Sequence, residues 1–169
     1  IITSMEDIFS KFSATRRKVN EMVNVAIGPI LEEIGQIIAG LVDGDPNGSY
    51  LYAEAEQGFQ APTLFKDHGD HIICYRPNIE LCDAIEKLWE MEPDDKKWQA
   101  MRYEVEDNRF NARFEFPDEL NPDEWVDDRV ERAVAERYGE RPITYPKPDG
   151  TYQTLTLDDL SGDGETGLT

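Results

Sequence analysis

The chain has 169 residues, 39% of them apolar, which is enough for one domain with a core of useful size. Against 17 Lys and Arg stand 36 Asp and Glu, a formal net charge of −19. So strong a polyanion is repelled by nucleic acid and by anionic membranes, so neither is expected as a direct partner, whereas a basic protein is.

In chain order, Ser4 with Asp7 reads as a capping box, and Ile8, Phe9, Phe12, Val19, Met22, Val23, Ala26 and Ile27 keep helical spacing up to Gly28-Pro29. A further helix is predicted from Ile30 to Leu41, with Ile30, Leu31, Ile34, Ile37, Ile38 and Leu41 as a wide apolar stripe directed at a sheet. The turn cluster Asp43 to Gly48 ends it. From Tyr50 the period becomes two: Tyr50 and Tyr52 take one face of a strand, Leu51 and Ala53 the other. Thr63 to Phe65 and His71 to Tyr75 supply one or two more strands. Asn78 is predicted to cap a helix bearing Leu81, Ile85, Leu88 and Trp89 on one face and stopping near Pro93.

Alternation over Trp98 to Glu106 and again over Phe110 to Phe116, around Asp107-Asn108-Arg109, predicts a β-hairpin whose aromatics Trp98, Tyr103, Phe110, Phe114 and Phe116 pack in the core. Asn121-Pro122-Asp123-Glu124 reads as N-cap, first-turn proline and capping-box glutamate of a last helix. That helix is expected to pack on the hairpin through Val126, Val130, Ala133 and Val134 and to end at Gly139. The fold class is therefore α+β: an antiparallel sheet of about four strands packed with helices in a single domain over residues 1–140. Residues 141–169, rich in proline, glycine and acid, read as an appendage, although Thr151 to Leu157 has strand character.

Two cysteines, Cys74 and Cys82, are too few for a disulfide framework and are expected as reduced core residues. Ile1 to Ser4 shows neither a basic leader segment nor a cleavage motif, and no apolar run reaches the length of a membrane span. The expected localisation is cytoplasmic.

One motif fits formally. Asp43-x-Asp45-x-Asn47-Gly48-x5-Glu54 satisfies the calcium-loop pattern, with oxygen donors at the first, third and fifth positions and a bidentate carboxylate at the twelfth. A strand after the loop, Pro46, and Leu51 at the ninth position all argue against it, so the turn reading is preferred and calcium is kept as the alternative. The Asp159-x-Ser161-x-Asp163-Gly164 run stops before a twelfth ligand. Asp67-His68-Gly69-Asp70-His71 offers two histidines and two aspartates to a transition metal; a polar turn explains the same letters and is preferred, metal binding through His68 and His71 is kept beside calcium as the alternative, and no cofactor is expected. Any hydrolytic triad must borrow one of those two histidines, and the many carboxylate pairs single none out, so no enzymatic activity is expected.

Trp98, the strands around Asp107-Asn108-Arg109-Phe110, the Phe114-Glu115-Phe116-Pro117-Asp118 exit, and a helix with Arg129 and terminal Tyr138-Gly139 resemble the YezG-like immunity-protein family. Asn20-Glu21-Met22 and Tyr50 to Glu54 are similar to its N-terminal half. The resemblance spans residues 5 to 140, and departs from the family at the turn and in the tail after Gly139. It implies an antitoxin that binds and silences a cognate secreted toxin domain, often a nuclease. Trp125 follows the expected N-cap among acids and off the apolar stripe, which makes it a candidate exposed anchor. With it, Asp118, Glu119, Asp123, Glu124, Asp127 and Asp128 form the acidic edge expected to meet the partner.

Overall fold

A computed structural model describes residues 27–155. The capping box expected at Ser4, the helices expected before Ile27, the Asn20 to Met22 segment and the acidic tail from Ser161 lie outside those residues. Helix α1 occupies residues 27–41, so Gly28 and Pro29 already stand in helical backbone. There follow β1 (Ser49–Glu56), β2 (Phe59–Asp67), β3 (Ile72–Tyr75), α2 (Ile79–Glu90), β4 (Ala100–Glu106), β5 (Arg109–Glu115), α3 (Val126–Tyr138), β6 (Ile143–Pro146) and β7 (Tyr152–Leu155).

The seven strands form one mixed sheet in the order β5-β4-β1-β2-β3-β6-β7. Central β1 is buried on both faces as far as Ala55, and its period of two feeds two separate cores. Leu51, Ala53 and Ala55 join Leu64, Met101, Tyr103 and Val105 beneath α1 and α2. Tyr50 and Tyr52 join Phe65, Ile72, Cys74 and Ala100 beneath α3, which contributes Ala133, Val134 and Tyr138. Helices therefore cover both faces of an α+β sheet.

The expected stripes of α1 and α2 are the ones that bury: Ile30, Leu31, Ile34 and Ile38 on the first, Leu81, Ile85 and Leu88 on the second. Asn78 Oδ1 accepts from the Leu81 amide at 2.9 Å and caps α2 as predicted. Between β4 and β5 the turn is Asp107-Asn108, with φ 51° and 60°. Two left-handed residues are what a two-residue hairpin demands, so Arg109 is already in the strand. Asn47 clamps this turn, its Nδ2 donating to Asn108 Oδ1 at 2.9 Å and its Oδ1 accepting from the Asn108 amide at 2.8 Å.

Four expectations need correction. The sheet has seven strands rather than about four, because the chain past residue 141 is no appendage: β6 pairs parallel with β3, and β7 antiparallel with β6. The last helix starts at Val126, not in Asn121 to Glu124. Asn121 spends its side chain on the Asp123 amide (3.0 Å) in a local turn, and the first helical bond runs from the Arg129 amide to the Trp125 carbonyl (3.1 Å). Phe110 and Phe116 are exposed rather than core, while Trp98 and Tyr103 are buried as expected. Cys82 is only half-buried, whereas burial pushes the Cys74 thiol up to about 12.

Candidate functional site

At one end of the sheet, where β1 runs out, β2 and β4 begin, α2 ends and α3 begins, lies a groove of about 340 Å³. Ala55, Phe59, Trp89 and Trp98 line its apolar side, and Pro117, Val126 and Arg129 face them. The wall is fixed by polar ties: the Trp89 indole N–H donates to the Trp98 carbonyl at 2.9 Å, and Lys97 Nζ donates to the Trp89 carbonyl at 2.9 Å. Lys97 also stands over the Trp89 ring, 4.4 Å from its centroid.

Under the groove sits a buried ion pair. Arg129 Nε donates to Glu54 Oε2 and Nη2 to Glu54 Oε1, both at 2.8 Å, and only about 6% of each side chain is exposed. Tyr52 completes it with a hydroxyl donated to Glu54 Oε2 at 3.0 Å. A fork-on-fork geometry of this kind satisfies both charges where water is absent. Hydrogen bonding to Glu54 raises the Arg129 pKa and keeps the guanidinium charged. The remaining nitrogen, Nη1, donates to the carbonyls of Asn121 (3.2 Å) and Glu124 (2.5 Å). A single buried arginine thus fastens the loop before α3 to the central strand.

That loop carries the residues the sequence singles out. Trp125 is the most exposed large apolar side chain described, at 79%. Asp118 and Glu119 stand on the short turn Pro117–Glu119, Asp123 on the loop, and Asp127 and Asp128 in the first turn of α3, all exposed. Negative charge in a first helical turn meets the positive end of the helix dipole, so these two aspartates are favourably placed with no ion-pair partner among the described residues. Glu119 Oε2 also caps the Phe116 amide at 2.8 Å. Glu124 departs from the expectation: its carboxylate is drawn in to Arg132 (2.5 Å) and only 16% exposed, so it serves the loop rather than the rim. Phe59 and Phe116, both exposed, add apolar surface beside the groove.

Sequence reasoning reads the exposure of these acids and Trp125 and misses what holds their loop. The signal was present: Arg129 precedes Ala133, Val134 and Tyr138 by four, five and nine residues, which puts it on the buried face of its helix, and Glu54 shares a strand face with Tyr50 and Tyr52. Opposite charges on two apolar faces call for each other.

The calcium-loop residues disperse. Asp45 and Asn47 bond each other and, through Asn47, the hairpin turn. Glu54 lies about 16 Å down β1 from Ser49 at the rise of an extended strand, engaged by Arg129. At the other turn, His68 Nε2 meets the Tyr75 hydroxyl at 2.9 Å, His71 Nδ1 meets Asp70 at 2.6 Å, and Asp67 is taken by Arg141. Among the described residues no three His, Cys, Asp or Glu side chains gather as a metal site, and no helix is long and apolar enough to cross a membrane. In comparisons with known proteins, no protein-family model and no curated protein matches the chain.

Proposed function

We propose that the protein is an immunity protein of the YezG-like type, which binds a cognate toxin domain and blocks its active surface by stoichiometric occlusion, with no catalysis of its own. The observation that carries the reading is a nearly fully exposed Trp125 inside a rim of Asp118, Glu119, Asp123, Asp127 and Asp128, on a loop fastened from below by Arg129. A large aromatic anchor surrounded by charge, already ordered before binding, is the anatomy of an interaction hot spot. The groove beside it accepts an apolar side chain of the partner. The sign of the rim and the net charge of −19 select a basic partner, as a toxin that binds nucleic acid would be, with the carboxylates standing in for phosphates.

The test is affinity capture with the intact protein, followed by co-expression of whatever basic protein is recovered. The expected partner is toxic alone and harmless in the presence of this chain. Its association should slow steeply with added salt while dissociation changes little. Replacing Asp123, Asp127 and Asp128 by lysine should slow association by more than about tenfold at low salt. Trp125→Ala should instead act on dissociation, because a packed anchor governs how long the complex lasts. Failure to recover a basic partner, or full protection by the charge-reversed variant, defeats the proposal.

A further inference from the structure

We infer that a second copy of this chain pairs with the β5 edge, β5 against β5 in antiparallel fashion about a two-fold axis at Ala112. The inference is independent of the toxin reading. In the sheet order β5 is terminal, and its seven residues make it the longer of the two edges among the described residues. Its pairing with β4 starts at Glu106 and Arg109, the pair that closes the two-residue turn and is therefore hydrogen-bonded to its partner. Alternation then turns the backbone groups of Arg109, Asn111, Arg113 and Glu115 toward β4 and those of Phe110, Ala112 and Phe114 outward. Three amides and three carbonyls line up along an edge with no further strand among the described residues.

Exposed strand edges are usually guarded by charge. Here the charges are arranged so that they complement a second copy of the same strand. Centring two copies on Ala112 sets Phe110 opposite Phe114, Arg109 opposite Glu115 and Asn111 opposite Arg113, each twice because of the symmetry; Glu115 already gives Oε1 to Arg102 at 2.5 Å, so the incoming Arg109 meets its Oε2. The outward amides and carbonyls of both strands are consumed mutually. Phe110 and Phe114 are held ready, the former stacked on Tyr103 with centroids 5.5 Å apart and the latter against Trp98 at 5.4 Å. Phe110 remains 42% exposed, an aromatic surface that pairing would cover. Side chains of the strand sum to one positive charge in a chain of −19, so its contact zone lacks the acidity found elsewhere.

The same numbers set the salt dependence. Two copies repel through their whole net charge, while the Arg109 to Glu115 pairs act at contact distance, so screening removes more repulsion than attraction. Self-association should therefore tighten with salt, opposite in sign to the salt effect on a basic toxin.

Sedimentation equilibrium of the intact chain tests this. The expected result is a reversible monomer–dimer equilibrium whose dissociation constant falls between about 0.05 M and about 0.5 M sodium chloride, as the screening length contracts to about 4 Å. Arg109→Glu, a change at an exposed side chain, should weaken the dimer by about tenfold or more by placing like charges opposite Glu115 twice. Ala112→Pro removes an outward amide that β4 does not use, so circular dichroism should stay native while the dimer is lost. A chain that remains monomeric at high salt, a dimer that loosens with salt, or one indifferent to both substitutions overturns the assignment.

Discussion

The two faces of the sheet are built by different chemistry. Under α1 and α2 the contact is aliphatic, Ile30, Leu31, Ile34 and Ile38 meeting Leu51, Leu64, Leu81, Ile85 and Leu88, with Trp98 at one end. Under α3 it is aromatic and charged: Tyr138 meets Tyr50 and Phe65 edge-on in a core that also holds Tyr52, and Arg129 reaches Glu54 through the layer. Outside that core Arg102 bridges Glu115 (2.5 Å) and Glu136 (2.8 Å), and Arg137 holds Glu106 (2.6 Å). One face stabilises by removing apolar area from water, which is tolerant of detail. The other depends on directional bonds that fix where a loop sits, and it carries the proposed interface. A protein that needs both stability and a rigid recognition loop can assign the two tasks to opposite sides of one sheet.

The largest effect should come from breaking the charged face at its centre. Arg129→Ala strands a buried carboxylate and Glu54→Ala a buried guanidinium, so each should lower stability by about 3–5 kcal/mol in denaturant unfolding. On the aliphatic face Ile34→Ala, at a fully buried position, should cost about 2–5 kcal/mol through lost transfer energy and an unfilled cavity. The magnitudes overlap, but the remedies differ. Replacing both charged partners by Glu54→Leu with Arg129→Met should return stability to within about 2 kcal/mol of the parent, since a buried ion pair contributes little net. The paired variant still lacks donors for the Asn121 and Glu124 carbonyls, so amide exchange in residues 121–125 should accelerate and partner binding weaken. Restored stability with unchanged loop protection would show that Arg129 does not order the loop.

This contrast also explains what was legible. Period and capping suffice where burial is apolar: α1, α2, β1 and the β4–β5 hairpin stand where Ile34, Leu81, Leu51 and Tyr103 imply. The exposed acids and Trp125 were equally readable, because their polarity and position off the stripe do not depend on distant chain. The start of α3 was misplaced because Asn121 satisfies a turn and a helix cap with the same atoms, and the choice between them is set by Arg129 from the far side. Strand β6 was missed for a related reason. Ile143 to Pro146 is four residues that follow one proline and end on another, with no alternation to detect, and becomes a strand only because β3 offers a partner.

A smaller test probes a polar contact within the aliphatic face. The Tyr103 hydroxyl donates to the Leu31 carbonyl of α1 at 2.7 Å, and a Cβ built on Gly35 would stand 2.8 Å from that oxygen. Gly35→Ala should therefore destabilise by about 1–3 kcal/mol despite the better helix propensity of alanine. In a Tyr103→Phe background the obstruction is gone, the next ring atom being 3.9 Å away, and the same change should stabilise by about 0.5–1 kcal/mol. A reversal of sign between backgrounds, read from thermal or urea unfolding, identifies the hydroxyl as the reason for glycine. Equal effects in both would place the constraint elsewhere.

The smallest expected effect lies where the late strand joins the sheet. Arg141 donates to both oxygens of Asp67, at 2.9 and 2.6 Å, linking the end of β2 to the lead into β6, and the Gly69 amide adds a third bond at 2.7 Å. Hydrogen bonding to Arg141, and then to Gly69, holds the Asp67 carboxyl down at about 2, against 3.8 ordinarily. A depressed carboxylate contributes stability that is complete above about pH 4 and is lost as pH falls through about 2, because the unfolded chain takes up the proton first. About a third of each side chain is exposed, so solvent screens the tie and its share of acid sensitivity is modest. Arg141→Gln should raise the Asp67 pKa measured by carboxyl NMR titration, yet only part of the way to the ordinary value, since Gly69 still donates. The acid limb of the unfolding curve should become correspondingly shallower over the same interval. If Asp67 still titrates at about 2 in the variant, the turn amide alone sets its ionisation, and β6 is retained by its pairing with β3 without help from this bridge.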